Sequence, residues 1–220
     1  EILLEIAAEK GLHFKLGIVF SDVSKEYVLE KFESGKITNM SDEMPLSQKD
    51  IEESTTIVSQ IGIAPIVELL KQKADVILCG RACDTAIYAA PCIYNGYNPG
   101  LAFHMAKIME CGAMCSEPVA AADVMQAYMY DDYFELRPAN PIRKCTVDRV
   151  AAHTLYEQSN PYLIFEPDGV CDLTNSEFQQ VDERTVRVTG SVFKEAELPT
   201  LKLEGVKCSG YRTICPATIY

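Results

Sequence analysis

The residues with the clearest chemical potential follow a short apolar run. Residues 75–79 read DVILC, and the chain continues as Gly80-Arg81-Ala82-Cys83-Asp84. In open α/β sheets, ligands bind beyond the carboxyl ends of such strands. Gly80 would let the backbone approach a ligand, Arg81 could hold a carboxylate or phosphate through paired hydrogen bonds, and Asp84 could cap the next helix. The same pattern also fits a purely structural turn, with Arg81 in an ordinary ion pair.

A second group of polar residues lies on the helix predicted at 99–111. His104 and Lys107 are three residues apart, and Lys107 and Cys111 are four apart, so all three share one helix face. Such a face could line a pocket in which His104 acts as a general acid or base beside the carboxylate of Glu110 or Glu117. The alternative is that the neighbouring methionines pack in the core while the polar residues face water.

The remaining candidates are His153 and several cysteines. His153 has apolar neighbours in a predicted helix, so it is either a proton-exchanging group or a hydrogen-bonded core residue. Cys83 begins a predicted helix, where the dipole favours a thiolate, although most buried cysteines only pack. Cys111 and Cys115 lie near His104, but no paired Cys-x-x-Cys or His-x-x-x-His spacing occurs, so we predict no metal site.

The elements that must position these residues are of the α/β type. Apolar periodicity predicts helices over 1–10, 25–33, 54–72, 84–93, 99–111, 118–130 and 146–158. Strands are predicted at 15–20, 75–79, 133–137, 178–181, 184–189, 200–206 and 211–215, with a polar loop at 34–50. The unbroken apolar run before Gly80 is typical of a parallel strand buried on both faces. We therefore expect a mostly parallel sheet with flanking helices over 1–160 and a β-rich section over 161–220 of the same domain.

Composition narrows the classes of function. The chain has 32 acidic and 20 basic residues, a net charge of −12, which disfavours a nucleic-acid partner. No stretch reaches the roughly 18 to 20 apolar residues of a membrane span, and no signal peptide is recognisable. The chain has nine cysteines, an odd number that cannot all form disulfide pairs, so we expect reduced thiols in a cytoplasm. We expect a soluble cytoplasmic protein without a membrane partner; neither a dinucleotide nor a P-loop motif occurs, so the cofactor stays undefined.

Several stretches, in order along nearly the whole chain, resemble the acyclic terpene utilisation AtuA-like family. They are residues 57–62, 74–84 with the pattern Gly-Arg-x-x-Asp, 99–113, 151–157, 160–162 and 210–214. The positions that match family motifs are Arg81, Asp84, His104, Glu110, Cys111, His153 and Arg212. The resemblance implies that the chain is an excerpt that continues on both sides, as its start without Met inside a helical pattern also indicates.

The resemblance further implies a role in bacterial catabolism of branched terpenoid acids through CoA thioesters. We therefore predict an enzyme, or an enzyme subunit, that acts on a small branched carboxylic acid or its CoA thioester. Arg81 would hold the anionic group, with Gly80 and Arg212 as further ligand-binding residues. The acid or thioester would be the partner of this site.

Acid–base chemistry of the hydratase, lyase or isomerase type would then need a proton-exchanging residue. His104 or His153 would exchange the proton, and Glu110 or Asp84 would orient the imidazole. The alternative is a non-catalytic binding or assembly subunit in which residues 162–220 mediate contacts in a homo-oligomer. A redox or metal protein built on the cysteines is a third possibility. A histidine-dependent enzyme of this kind requires Arg81, Asp84 and a histidine to converge on one solvent-reachable cleft.

Overall fold

The computed structural model describes residues 1–40, 43–119, 123–156 and 158–211. Within these ranges the helices are α1 (Ile2–Glu9), α2 (Lys25–Glu33), α3 (Gln48–Glu53), α4 (Ala64–Lys71), α5 (Ala86–Tyr94), α6 (Pro99–Met109) and α7 (Val147–Thr154), with a 3₁₀ turn at Gly112–Cys115. The strands are β1 (Leu16–Val19), β2 (Thr56–Ser59), β3 (Val76–Cys79), β4 (Met125–Met129), β5 (Phe134–Pro138), β6 (Leu163–Glu166), β7 (Gly169–Asp172), β8 (Glu177–Gln180), β9 (Val186–Thr189), β10 (Val192–Glu195) and β11 (Leu203–Val206).

The chain forms two compact units. The larger unit contains residues 1–21 and 60–202, and the smaller contains residues 22–59 with the segment that begins at Leu203. Three sheets belong to the larger unit: an antiparallel sheet in the order β4-β5-β9-β8, an antiparallel sheet in the order β10-β7-β6, and the parallel pair β1-β3.

The prediction of a mostly parallel sheet is wrong. Among the strands in the described ranges, β1 with β3 is the only parallel pair. Short connections explain the difference, because strands joined by a tight turn pair antiparallel, whereas parallel neighbours need a long crossover. Strands β6 and β7 are joined only by Pro167 and Asp168, for example, and pair from Glu166 with Gly169. Leu78 on β3 is also half exposed, so that strand is not buried on both faces.

Two predicted helices contain strands instead. Within the interval 118–130, burial alternates along β4, with Met125 buried and Gln126 exposed, which is the period of a strand. Within 54–72, the β-branched run ending at Val58 forms β2, and the helix α4 begins only after Gly62. The predicted loop at 34–50 overlaps α3, and the predicted strand at 211–215 lies almost wholly outside the described residues.

Helix α6 organises the core of the larger unit. Every residue from Gly100 to Ile108 is buried, and the Asn98 side chain caps the helix by accepting the backbone N–H groups of Gly100 and Leu101. One side of α6 packs on the four-stranded sheet through a cluster that contains Leu101, Met105, Ile108, Phe134, Leu136, Val186 and Val188. The other side packs on the three-stranded sheet through Ala102, Phe103, Ala106, Ile164 and Cys171. The polar residues at the end of α6 are therefore held on a rigid element.

The smaller unit consists of α2, α3 and the antiparallel pair β2–β11, around a core of Val28, Ile51 and Ile57. Helix α3 begins with a capping box, in which Ser47 and Asp50 each accept the other's backbone N–H. That cap explains why a helix forms inside a stretch that looks polar and loop-like.

Candidate functional site

The turn after β3 is fixed by hydrogen bonds on both sides. The backbone N–H of Arg81 donates to Ser21 Oγ at 2.7 Å. The carbonyl of Arg81 accepts the N–H of Ile61, and the N–H of Cys83 donates to the carbonyl of Ile61 at 2.9 Å. A Cβ on Gly80 would lie 2.5 Å from Ser21 Oγ, so only glycine fits this approach. The turn therefore holds Arg81 in a defined position.

The turn borders a cleft of about 390 Å³. The residues that line it are Ile77, Cys79, Gly80, Arg81, Ala82, Cys83, Asp84, Ile87, Tyr88 and Glu110. Arg81 and Asp84 are exposed. Helix α5 has Thr85 at its N-cap position without a side-chain cap bond, so Asp84 precedes the cap and lines the cleft instead. The structure thus brings four predicted site residues together: Gly80, Arg81, Asp84 and Glu110.

Glu110 reaches the cleft from the end of α6. Its carboxylate forms an ion pair with Lys107, one helical turn earlier, and the two side chains are 9% and 8% exposed. Cys111 Sγ lies 4.0 Å from the same carboxylate oxygen. A carboxylate in such a position can accept a proton from a ligand in the cleft.

A second carboxyl group, Glu166, lies behind the turn. Its Oε2 accepts hydrogen bonds from Thr85 Oγ1 at 2.7 Å and from Cys83 Sγ at 3.2 Å. Glu166 is 8% exposed, and burial is the main cause that raises its pKa to about 7. The negative charges of Glu110 and Asp168 add to this rise, whereas the hydrogen bonds from Thr85 and Cys83 oppose it. With this pKa, the Glu166 carboxyl group is partly protonated near neutral pH.

Cys83 lines the cleft but is not an activated nucleophile. Burial, together with the nearby Glu166 carboxylate, raises the pKa of the Cys83 thiol to about 12. A nucleophilic cysteine needs the opposite environment, one that lowers its pKa. Cys83 consequently stays a protonated thiol that donates to Glu166.

His104 is fully buried and does not line the cleft. Its Nδ1 lies 2.7 Å from Ser191 Oγ and its Nε2 lies 3.1 Å from Thr154 Oγ1, while the rings of Phe134 and Phe178 meet it edge-on. Burial lowers the pKa of His104 to about 3, so the imidazole is neutral at physiological pH. The contact between His104 and Ser191 has the spacing of a nucleophile and its base, but both side chains are closed off from solvent.

The remaining predicted residues lie apart from the cleft or outside the described ranges. His153 is 7% exposed in α7 and stacks on Tyr156 with ring centroids 5.4 Å apart. Arg212 lies outside the described residues. The described residues that line the cleft therefore include neither predicted histidine nor Arg212.

Glu166 is a candidate site residue that the sequence does not single out, because its burial is visible only in the structure. In β6, Ile164 and Glu166 are buried, whereas Phe165 between them is 64% exposed. A glutamate on the same face as a core isoleucine marks a buried carboxyl group, which is uncommon without a function or a partner.

The described part of the chain contains eight cysteines, all of them free thiols, and the ninth cysteine, Cys215, lies outside this part. No group of three metal-binding side chains converges within it. None of its helices combines the length and the apolar character needed to cross a membrane.

Fold and site together define an α/β protein with a polar cleft at the end of a parallel strand, lined by one arginine and by the carboxyl-bearing residues Asp84 and Glu110. The chain matches the family described as acyclic terpene utilisation family protein AtuA over residues 1–131 and 138–219, and it belongs to that family. The predicted resemblance is confirmed, and membership implies involvement in acyclic terpene catabolism. No curated protein and no solved structure matches the chain.

Proposed function

We propose that this chain is a catabolic enzyme, or an enzyme subunit, that acts on a small branched carboxylic acid or its CoA thioester. The observation that carries the proposal is that Arg81 and Glu110, a cation and an acid–base group, line one cleft. Family membership supplies the pathway, acyclic terpene utilisation. The chemistry of the cleft supplies the reaction class.

Anion binding is assigned to Arg81. The guanidinium is permanently charged and matches the two oxygens of a carboxylate with parallel donors. The cleft volume of about 390 Å³ is at the small end of ligand pockets, so it suits a short acid or the acyl part of a thioester. The nucleotide part of CoA would extend beyond it.

Proton exchange is assigned to Glu110 rather than to a histidine. Glu110 reaches the cleft and is held by Lys107, whereas His104 is neutral and enclosed. In a hydratase, lyase or isomerase step, the Glu110 carboxylate would take a proton from the carbon next to the acyl carbonyl. Arg81 would stabilise the negative charge that develops on the acyl oxygens.

The experiment is a thermal-shift screen of branched short-chain acids and their CoA thioesters. Binding to the folded state alone raises the apparent stability, so a ligand is expected to raise the Tm of the wild-type protein. Arg81→Ala should lose this shift. The matched control is Arg137→Ala, which removes another exposed arginine of the larger unit. An equal ligand shift in wild type and Arg81→Ala would refute the anion-binding role.

The burial of both predicted histidines favours a second candidate, a non-catalytic binding or assembly subunit. In this case the turn organises the fold, and the β-rich section mediates contacts between copies in a homo-oligomer. Sedimentation velocity over a range of protein concentrations tests this candidate. A monomer at all concentrations, combined with turnover of a ligand found in the thermal-shift screen, would exclude it.

A further inference from the structure

We propose that Glu166 holds a transferable proton for the cleft and exchanges it with the bound ligand through the thiol of Cys83. This inference rests on the acid–base function proposed above. It adds to the site a proton-holding residue that is itself not among the residues lining the cleft.

A single atom, Cys83 Sγ, connects the cleft to Glu166. The Cys83 side chain lines the cleft, and its Sγ lies 3.2 Å from Glu166 Oε2. Thr85 Oγ1 holds the same oxygen at 2.7 Å, so the carboxyl group cannot turn away from the thiol. Strand β6 fixes the carboxyl from the other side, because alternation buries Ile164 and Glu166 together.

The surroundings of Glu166 favour a proton at neutral pH. Within the described residues, its hydrogen-bonding partners are Thr85 and Cys83, both uncharged. The nearby carboxylates of Glu110, at the end of α6, and Asp168, in the turn after β6, disfavour a further negative charge. The thiol of Cys171 on β7 also interacts with Glu166: burial is the main cause that raises the pKa of this thiol, and the Glu166 carboxylate adds to the rise.

The exchange balances without any other reactant. When Glu166 is ionised, the Cys83 thiol donates to Oε2; when Glu166 is protonated, its O–H donates to the sulfur across the same contact, and the S–H turns toward the ligand. As a basic atom of the ligand takes the S–H proton of Cys83, the sulfur takes the O–H proton of Glu166. The thiol is thereby restored, the ligand gains one proton, and Glu166 becomes a carboxylate. The reverse sequence returns the proton, and no electrons are transferred.

The properties of Cys83 suit a relay better than nucleophilic attack. The Cys83 thiol keeps its proton at neutral pH. It can therefore give a proton to one neighbour only if it takes a proton from another neighbour at the same time. A hydroxyl group could do the same, whereas a methyl group could not. Cys83→Ser and Cys83→Ala are therefore a matched pair that separates proton relay from packing.

The experiment is a pH titration by NMR of protein labelled with ¹³C at the glutamate carboxyl carbons, with Glu166→Gln to assign the signal. One carboxyl should titrate near pH 7 in the wild type and be missing in Glu166→Gln. In Cys83→Ala the midpoint should rise by about 0.5–1 pH unit, because a hydrogen bond to the ionised form is lost. Its signal should also broaden as proton exchange slows. Cys83→Ser should keep the wild-type midpoint and line width.

Two results would overturn the inference. If every glutamate titrates below pH 6, Glu166 does not hold a proton at neutral pH. If the midpoint and line width of the Glu166 signal are unchanged in Cys83→Ala, Cys83 does not relay the proton. Neither result bears on ligand binding by Arg81, which the thermal-shift screen tests separately. Conversely, failure of Arg81→Ala to reduce ligand binding would refute the proposed function while leaving the titration of Glu166 as measured.

Discussion

Replacing Glu166 with Gln should change how the stability of the protein depends on pH. The substitution keeps the size of the side chain and an oxygen that can accept from Thr85 and Cys83, but it removes the titrating proton. Burial raises the pKa of Glu166 from 4.5 to about 7 in the folded protein. In the unfolded chain the carboxyl is in water and ionises at its ordinary value.

The magnitude follows from that difference. Each pKa unit corresponds to about 1.36 kcal/mol, so the rise to about 7 corresponds to ~3 kcal/mol. Between pH 4.5 and 7 the folded protein keeps a proton that the unfolded chain has released. The contribution of Glu166 to stability is therefore complete below pH 4.5 and is lost as the pH rises through 7. Glu166→Gln should gain about 2–3 kcal/mol relative to wild type between pH 5 and 8.

The assay is urea unfolding of wild type and variant at several pH values from 5 to 8. The difference between the two free energies of unfolding isolates Glu166, because all other titrating groups are shared. The new amide adds an offset that does not depend on pH, so only the change with pH is interpreted. Glu195→Gln, at an exposed position that ends β10, is the control and should give a flat difference. A flat difference for Glu166→Gln as well would refute the raised pKa.

Two further predictions concern the core around α6. Phe103→Ala should lower the free energy of unfolding by ~3–5 kcal/mol, because Phe103 is 1% exposed and stacks on Phe193 at 4.5 Å; a loss below 1 kcal/mol in urea unfolding would contradict this. His104, whose pKa burial lowers to about 3, should make folding sensitive to acid. The contribution of the neutral His104 imidazole to the free energy of unfolding is complete above pH 6.5 and is lost as the pH falls toward 3. Between pH 7 and pH 5, the free energy of unfolding of the wild type should therefore fall by ~2 kcal/mol more than that of His104→Gln. Urea unfolding at both pH values checks this, and no relative loss would count against the buried neutral imidazole.

The sequence predicts the turn that follows β3 but not the pairing of the strands. A glycine directly after an apolar run predicts a strand that ends in a turn, and Arg81 and Asp84 do line a cleft there. Strand pairing depends instead on which distant segments meet. The apolar run at β3 looks the same in the sequence whether many parallel neighbours flank it or, as here, only β1 within the described residues.

The buried groups were harder to predict for a related reason. Helical spacing predicts that His104 and Lys107 share a face, but it does not say whether that face meets a cleft or another sheet. His104 meets Ser191 from the turn before β10, 87 positions away, and becomes part of the core. Glu110, six positions after His104 and at the end of the same helix, reaches the cleft. The pairing of Cys83 with Glu166 joins residues 83 positions apart, and no local pattern specifies such a contact.

The central claim is that the Arg81 cleft binds the carboxylate of a small acid. Isothermal titration calorimetry should compare the tightest-binding acid from the screen with its neutral amide, in wild type and in Arg81→Ala. A charged hydrogen-bonded pair contributes about 1.5–3 kcal/mol, so wild type should prefer the acid by about tenfold or more. The preference should disappear in Arg81→Ala. A preference for the acid that survives the substitution would contradict the claim.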